Sequence, residues 1–120
     1  PSSHGYSHNR ASVFHLLFRS FSVLPDSPHN LSQILKDEGR YQEALLYATK
    51  AENLSISGTE QFLLPEIEFS IAQILNHMQK KQESRMRIQS LIPYMRLIGK
   101  KEIADLAQEY LTENLTNDVN

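Results

Sequence analysis

The chain has 120 residues, a formal net charge of −2 and no cysteine. That length makes one domain with room for a modest core, and the near-balanced charge gives no electrostatic case for a nucleic-acid partner, which shows as a basic face. Zero cysteines exclude a disulfide framework and a thiolate metal site and fit a reducing, cytoplasmic setting, while no apolar run approaches the roughly 20 residues of a membrane span.

In chain order, PSSHGYSHN (1–9) is polar and aperiodic and is expected to be a flexible end. The first residue is Pro1 and no signal peptide opens the chain, so the sequence reads as a piece of something longer. A helix is predicted from about Arg10 to Val23, where Val13, Phe14, Leu17, Phe18 and Phe21 recur at helical spacing. LPDSP breaks it. Ser27 is placed to cap the next helix with Pro28 at its first position, and Gly39 is a natural left-handed stop.

A third helix covers roughly Tyr41 to Asn53 and is closed by SISGT; Thr59 is a candidate start for the fourth, and Pro65 sets its regular part, which runs to Met78. A fifth spans about Lys81 to Ile98, with Pro93 expected to kink or split it. Gly99 separates a last helix, about Lys100 to Leu111, from a polar tail. The expected organisation is a flexible segment 1–9, a helical domain 10–113 and a flexible tail 114–120. No alternating β-branched run competes, so the fold class is all-α.

The chain also repeats. Slid by 40 residues, LSQILKDEGRYQEA falls on IAQILNHMQKKQES, so that Gln33, Ile34, Leu35, Gln42 and Glu43 meet Gln73, Ile74, Leu75, Gln82 and Glu83. A further shift of 35 brings LAQEYL (106–111) onto the same frame. A small residue recurs as Ser32, Ala72 and Ala107, preceded by Leu31, Ile71 and Leu106, with Leu35, Leu75 and Tyr110 three positions on. A unit of this size cannot bury its own apolar stripe; stacked neighbours do so, with small residues where helices approach most closely.

This pattern resembles the tetratricopeptide repeat. Ala44 and Ala51 match the alanines of that family's helix B, and Ile103, Leu106, Ala107 and Tyr110 match its helix A. The second unit departs from the pattern, with Ser84 and Leu91 in place of the alanines, Gln79 in place of the turn glycine, and a loop longer than a repeat of about 34 residues allows. ASVFHLLF (11–18) reads as helix B of a preceding unit. The resemblance implies a right-handed superhelical array of antiparallel helix pairs. Degenerate units of about 40 residues without cysteine are similar to the C-terminal peptide-sensing part of Gram-positive, pheromone-responsive transcription regulators. That similarity implies a cytoplasmic module that binds a short peptide and leaves DNA contact to another domain.

Other chemistry is sparse. His4 and His8 have no third ligand near them and read as solvated, and His15 reads as a packed histidine within an apolar helix, so neither a metal nor any other cofactor is expected. Glu66 and Glu68 are two apart and point to different faces, so they make no pair. Three Asn-x-Ser/Thr triplets, at Asn30, Asn53 and Asn114, read as chance in a chain with no other sign of secretion. No nucleophile triad or phosphate loop is present, and no enzyme activity is expected.

One polar set stands out. Gln33, Gln73 and Gln108 follow the small packing residue in three successive units, a position that faces the concave groove in tetratricopeptide arrays. Taken singly, each fits an ordinary solvent-facing helix residue. As a set they make a ladder of amides able to bond the backbone of an extended peptide. Three positions on, Lys36, Asn76 and Leu111 are expected to line the same groove, and Asn76 matches the asparagine that anchors peptide backbone in the regulator group. The competing reading is a self-association module, a homodimer built on the aromatic-rich first helix with Phe14, Phe18 and Phe21.

Overall fold

The structure, a computed structural model, describes residues 27–58 and 60–115. The helix expected over 10–23, the three N-terminal histidines and Thr59 lie outside the described residues. What is described is all-helical, with five α-helices: α1 Pro28–Asp37, α2 Tyr41–Ile56, α3 Leu64–His77, α4 Lys81–Leu97 and α5 Lys101–Asn114. A 3₁₀ turn, Gln61–Leu63, leads into α3. Each helix packs on the next in chain order, and α1 also touches α3.

Local chemistry sets the boundaries. The Asn30 N–H donates to Ser27 Oγ at 3.2 Å, and Pro28 occupies the first turn. This satisfies one of the amide groups that a helix start leaves open. Three connections then repeat one another: Glu38–Arg40, Met78–Lys80 and Ile98–Lys100. In each, the middle residue is left-handed, at φ 79° for Gly39, 66° for Gln79 and 88° for Gly99. The next residue's N–H reaches back five positions, Arg40 to the Leu35 carbonyl, Lys80 to that of Leu75 and Lys100 to that of Met95, at 2.8–2.9 Å. The middle residue's N–H also reaches back three positions, and this double closure satisfies the last carbonyls of the helix and launches the next helix at once. The turn between α4 and α5 thus has the same form as those ending α1 and α3, a recurrence 20 residues after Gln79 that apolar periodicity alone does not register.

Three boundaries differ from expectation. The α4 helix continues through Pro93, because Pro93 and Gln89, whose carbonyl loses its amide partner, are both exposed while Ile88, Leu91, Ile92 and Met95 hold the inner face in the core. The α2 helix runs on to Ile56, with Ser55 buried beneath it. The α5 helix runs to Asn114, and Leu115 is fully buried, its carbonyl accepting from Arg85 Nε at 2.7 Å. The apolar residue at 115 anchors what the polar composition marks as a tail.

Among the described residues two apolar clusters form the core, and α3 contributes to both. Ile67, Ile71, Ile74 and Leu75 join Leu35, Ala44, Ala48, Ala51 and Leu63. Phe69 and Ala72 join Ile88, Leu91, Ile92 and Met95 of α4 and Ile103, Ala104, Ala107 and Leu111 of α5. A helix apolar on most sides is a central one. Small residues mark the closest approaches. Ser32 Oγ donates across α1–α2 to the Ala44 carbonyl at 2.9 Å, and Ser84 Oγ donates across α3–α4 to the Ala72 carbonyl at 2.6 Å. The serine changes sides between the two pairs, yet the contact is the same, so Ser84 is an equivalent of Ala44 and not a break in the pattern.

Candidate functional site

The C-terminal half of α1 and the middle of α3 bring three of the anticipated residues together. Lys36 is buried, and its Nζ donates to Gln73 Oε1 at 3.0 Å and to Ser70 Oγ at 3.3 Å. Gln33, one turn before Lys36, is also buried, and its Oε1 is shut away from solvent with no hydrogen-bond partner. An acceptor in that condition forfeits the solvation it would have in water, so it calls for a donor.

Asn76 sits one turn beyond Gln73. Its Nδ2 donates to the Tyr110 hydroxyl at 2.8 Å, and its Oδ1 accepts from Lys81 Nζ at 3.1 Å, so one amide ties α3 to α5 and to the start of α4. Beside it, the rings of Tyr41 and His77 stack with centroids 4.5 Å apart and planes 3° from parallel. Tyr110 also meets Phe69 edge-on at 5.8 Å. The α1–α3 contact of Lys36 with Gln73 and the α3–α5 contact of Asn76 with Tyr110 thus lie one turn apart on α3 and define a polar and aromatic surface.

Two ammonium groups, Lys36 and Lys81, act on the His77 imidazole here. Desolvation lowers the His77 pKa, and the charges of Lys36 and Lys81 lower it further, so the imidazole is neutral at pH 7. Burial pushes the Tyr110 phenol up, against the Asn76 bond that lowers it, and the neighbouring Tyr41 adds to the rise. The surface therefore offers ammonium donors, amide donors and acceptors, and neutral rings with one face or edge engaged.

Gln108 stands apart from this surface. It is exposed, and its Nε2 reaches only Thr112 of its own helix, at 3.5 Å. Leu111, expected beside the groove, is buried in the α3–α4–α5 cluster instead. Gln33 and Lys36, expected outside the core, are instead among the buried residues, Lys36 with its Nζ bonded to two α3 side chains. Periodicity did not flag Ser70, Tyr41, His77, Lys81 and Tyr110 as site residues. Ser70 lies one turn before Gln73, and Tyr41 and Lys81 are the first residues after equivalent turns 40 apart, so the repeat frame held the signal.

Among the described residues no group of three or more His, Asp or Glu is arranged to hold a metal ion, and no helix is long and apolar enough to cross a membrane. No family model, curated protein or solved structure matches the chain.

Proposed function

We propose that this chain is a non-catalytic peptide- or protein-binding module, built as a right-handed superhelical array of antiparallel helix pairs of the tetratricopeptide kind. In this reading it is the ligand-sensing part of a larger, cytoplasmic transcription regulator whose DNA contact lies elsewhere. The recurring turns and the serine–carbonyl contacts support repeated units. The observation that carries the binding reading is the buried, unbonded Gln33 Oε1 beside the Lys36–Ser70–Gln73 cluster. An extended peptide supplies a backbone N–H for that acceptor and a carbonyl for the neighbouring donors, whatever its side chains.

The test uses an array of random heptapeptides, followed by calorimetric titration of the strongest binder against the wild-type chain and Gln73→Ala. Loss of one such bond should weaken binding by about 0.5–1.5 kcal/mol. A binder whose affinity is the same for both chains would move the contact away from this surface.

Self-association is the second reading, and one observation favours it. Leu31 and Ile34 stand 37% and 47% exposed on the outer side of α1, where the equivalent residues of α3 are covered by a neighbouring helix. Sedimentation of the chain across a concentration series separates the two, since a dimer indifferent to peptides would support assembly alone.

A further inference from the structure

A cluster of charge lies where α2, α3 and α4 meet, outside the surface described above. Glu52 comes from α2, Glu68 from α3 and Arg87 from α4. Arg87 Nη1 stands 3.2 Å from Glu68 Oε1 and 3.8 Å from Glu52 Oε2. The two carboxyl side chains are only 18% and 23% exposed. Arg87 Nε is also 3.7 Å from Glu83 Oε2, so one guanidinium serves three carboxyl groups. Elsewhere on these helices, Lys36 of α1 donates to Ser70 and Gln73, and Lys100, ahead of α5, pairs with Glu66.

We propose that Glu52 and Glu68 share one proton in the folded chain, making the junction of α2, α3 and α4 a joint that loosens when that proton leaves. Two shielded carboxylates side by side repel each other, and a single arginine already divided with Glu83 does not neutralise both. A proton between them turns repulsion into a hydrogen bond across the α2–α3 seam, the arrangement that paired carboxyl groups adopt in other proteins. Burial is the largest influence on Glu68, the bond to Glu52 and its charge come next, and Arg87 opposes them; together they push Glu68 up to about 7 from its ordinary 4.5.

The folded-state pKa is raised, so the stability from this carboxyl is fully present below about 4.5 and is lost as pH rises through about 7. His77 works the other way. Its folded-state pKa is lowered, so its contribution is present above the ordinary histidine range and is lost as pH falls. Comparison with Glu68→Gln, which keeps His77 and removes only the titrating carboxyl, separates the two.

The experiment is thermal unfolding of the wild-type chain and Glu68→Gln at pH 5 to 8. The wild-type Tm, measured relative to the variant at each pH, should fall by at least about 5 °C across that range. A constant difference between the two chains would overturn the proposal. Should Glu68→Gln not fold, carbon-13 NMR titration of the wild-type glutamate carboxyls decides directly: one carboxyl titrating near 7 supports the shared proton, and all titrating below about 5 refutes it. Glu52→Gln supplies a further check, since removing the neighbour should return Glu68 towards the ordinary carboxylate range. None of these outcomes depends on whether a peptide binds the α1–α3 surface.

Discussion

The α1–α2 pair and the α3–α4 pair carry the same frame and spend it differently. Leu31, Gln33, Ile34 and Leu35 of α1 correspond to Ile71, Gln73, Ile74 and Leu75 of α3. In α3 the two isoleucines are 2% and 0% exposed, whereas Leu31 and Ile34 of α1 are 37% and 47% exposed. In exchange, α1 buries His29, Asn30, Gln33 and Lys36. The repeat position fixes which way a side chain points along the stack; the neighbour on that side decides whether it is covered. The α3 helix has described helices on both flanks, and α1 has one only on the side of α2 and α3. Position in the stack, not residue type, therefore separates a core isoleucine from a surface one.

The sharpest way to break that comparison is to truncate the paired isoleucines. Ile74→Ala removes a fully buried side chain from the cluster shared by α1, α2 and α3 and should cost about 2–5 kcal/mol. Ile34→Ala removes one already half in water and should change stability by no more than about 1 kcal/mol. Urea denaturation of both variants measures the contrast. Equal losses would mean that Ile34 is covered as fully as Ile74, and the distinction between the two helices would fall.

A smaller effect is expected where the two pairs agree. Ala72 is fully buried at the closest approach of α3 and α4, and its carbonyl accepts from Ser84. Ala72→Leu inserts three carbons into that seam, and overpacking of this kind costs about 1–3 kcal/mol. The thermal midpoint should drop accordingly. An unmoved midpoint would show that the small residue is not required there, and the repeat frame itself would be misassigned.

The frame was legible in the sequence because it rests on spacing: the small residues, the apolar positions around them and the stops at Gly39 and Gly99 are local signals. The cap at Ser27 was readable for the same reason, since the serine and the proline after it act within one turn. What spacing does not hold is which side chains meet across helices. Spacing sets Glu68 against Glu66, its neighbour in sequence, whereas its partners are Glu52 and Arg87 on other helices. Of the four residues expected together on α1 and α3, Lys36 and Gln73 bond to each other, Gln33 lies one turn before Lys36, and Asn76 lies one turn beyond Gln73. Gln108 matches in sequence but not in surroundings, because its unit is offset by 35 residues instead of 40 and its side chain faces solvent. Leu115 stands four residues after Leu111, at helical spacing, but the polar residues around it outweigh that signal.

The finest difference between the pairs lies in their turns. Gly39 and Gln79 occupy the same left-handed position, at φ 79° and 66°, with matching hydrogen bonds to the preceding helix. A residue with a Cβ pays about 1 kcal/mol there that glycine does not. Glycine is more flexible in the unfolded chain, which offsets part of the gain. Gln79→Gly should therefore stabilise the chain by about 0.5 kcal/mol. Gly39→Ala should destabilise it by about 1 kcal/mol. Beyond Gly39 and its two chain neighbours, no atom lies within 4 Å of where its Cβ would sit, so backbone preference sets that loss. The two substitutions move the denaturation midpoint in opposite directions if the turns are equivalent. A loss on Gln79→Gly would instead mean that the glutamine side chain holds its turn by contacts of its own, and the second pair would then close by a different device from the first.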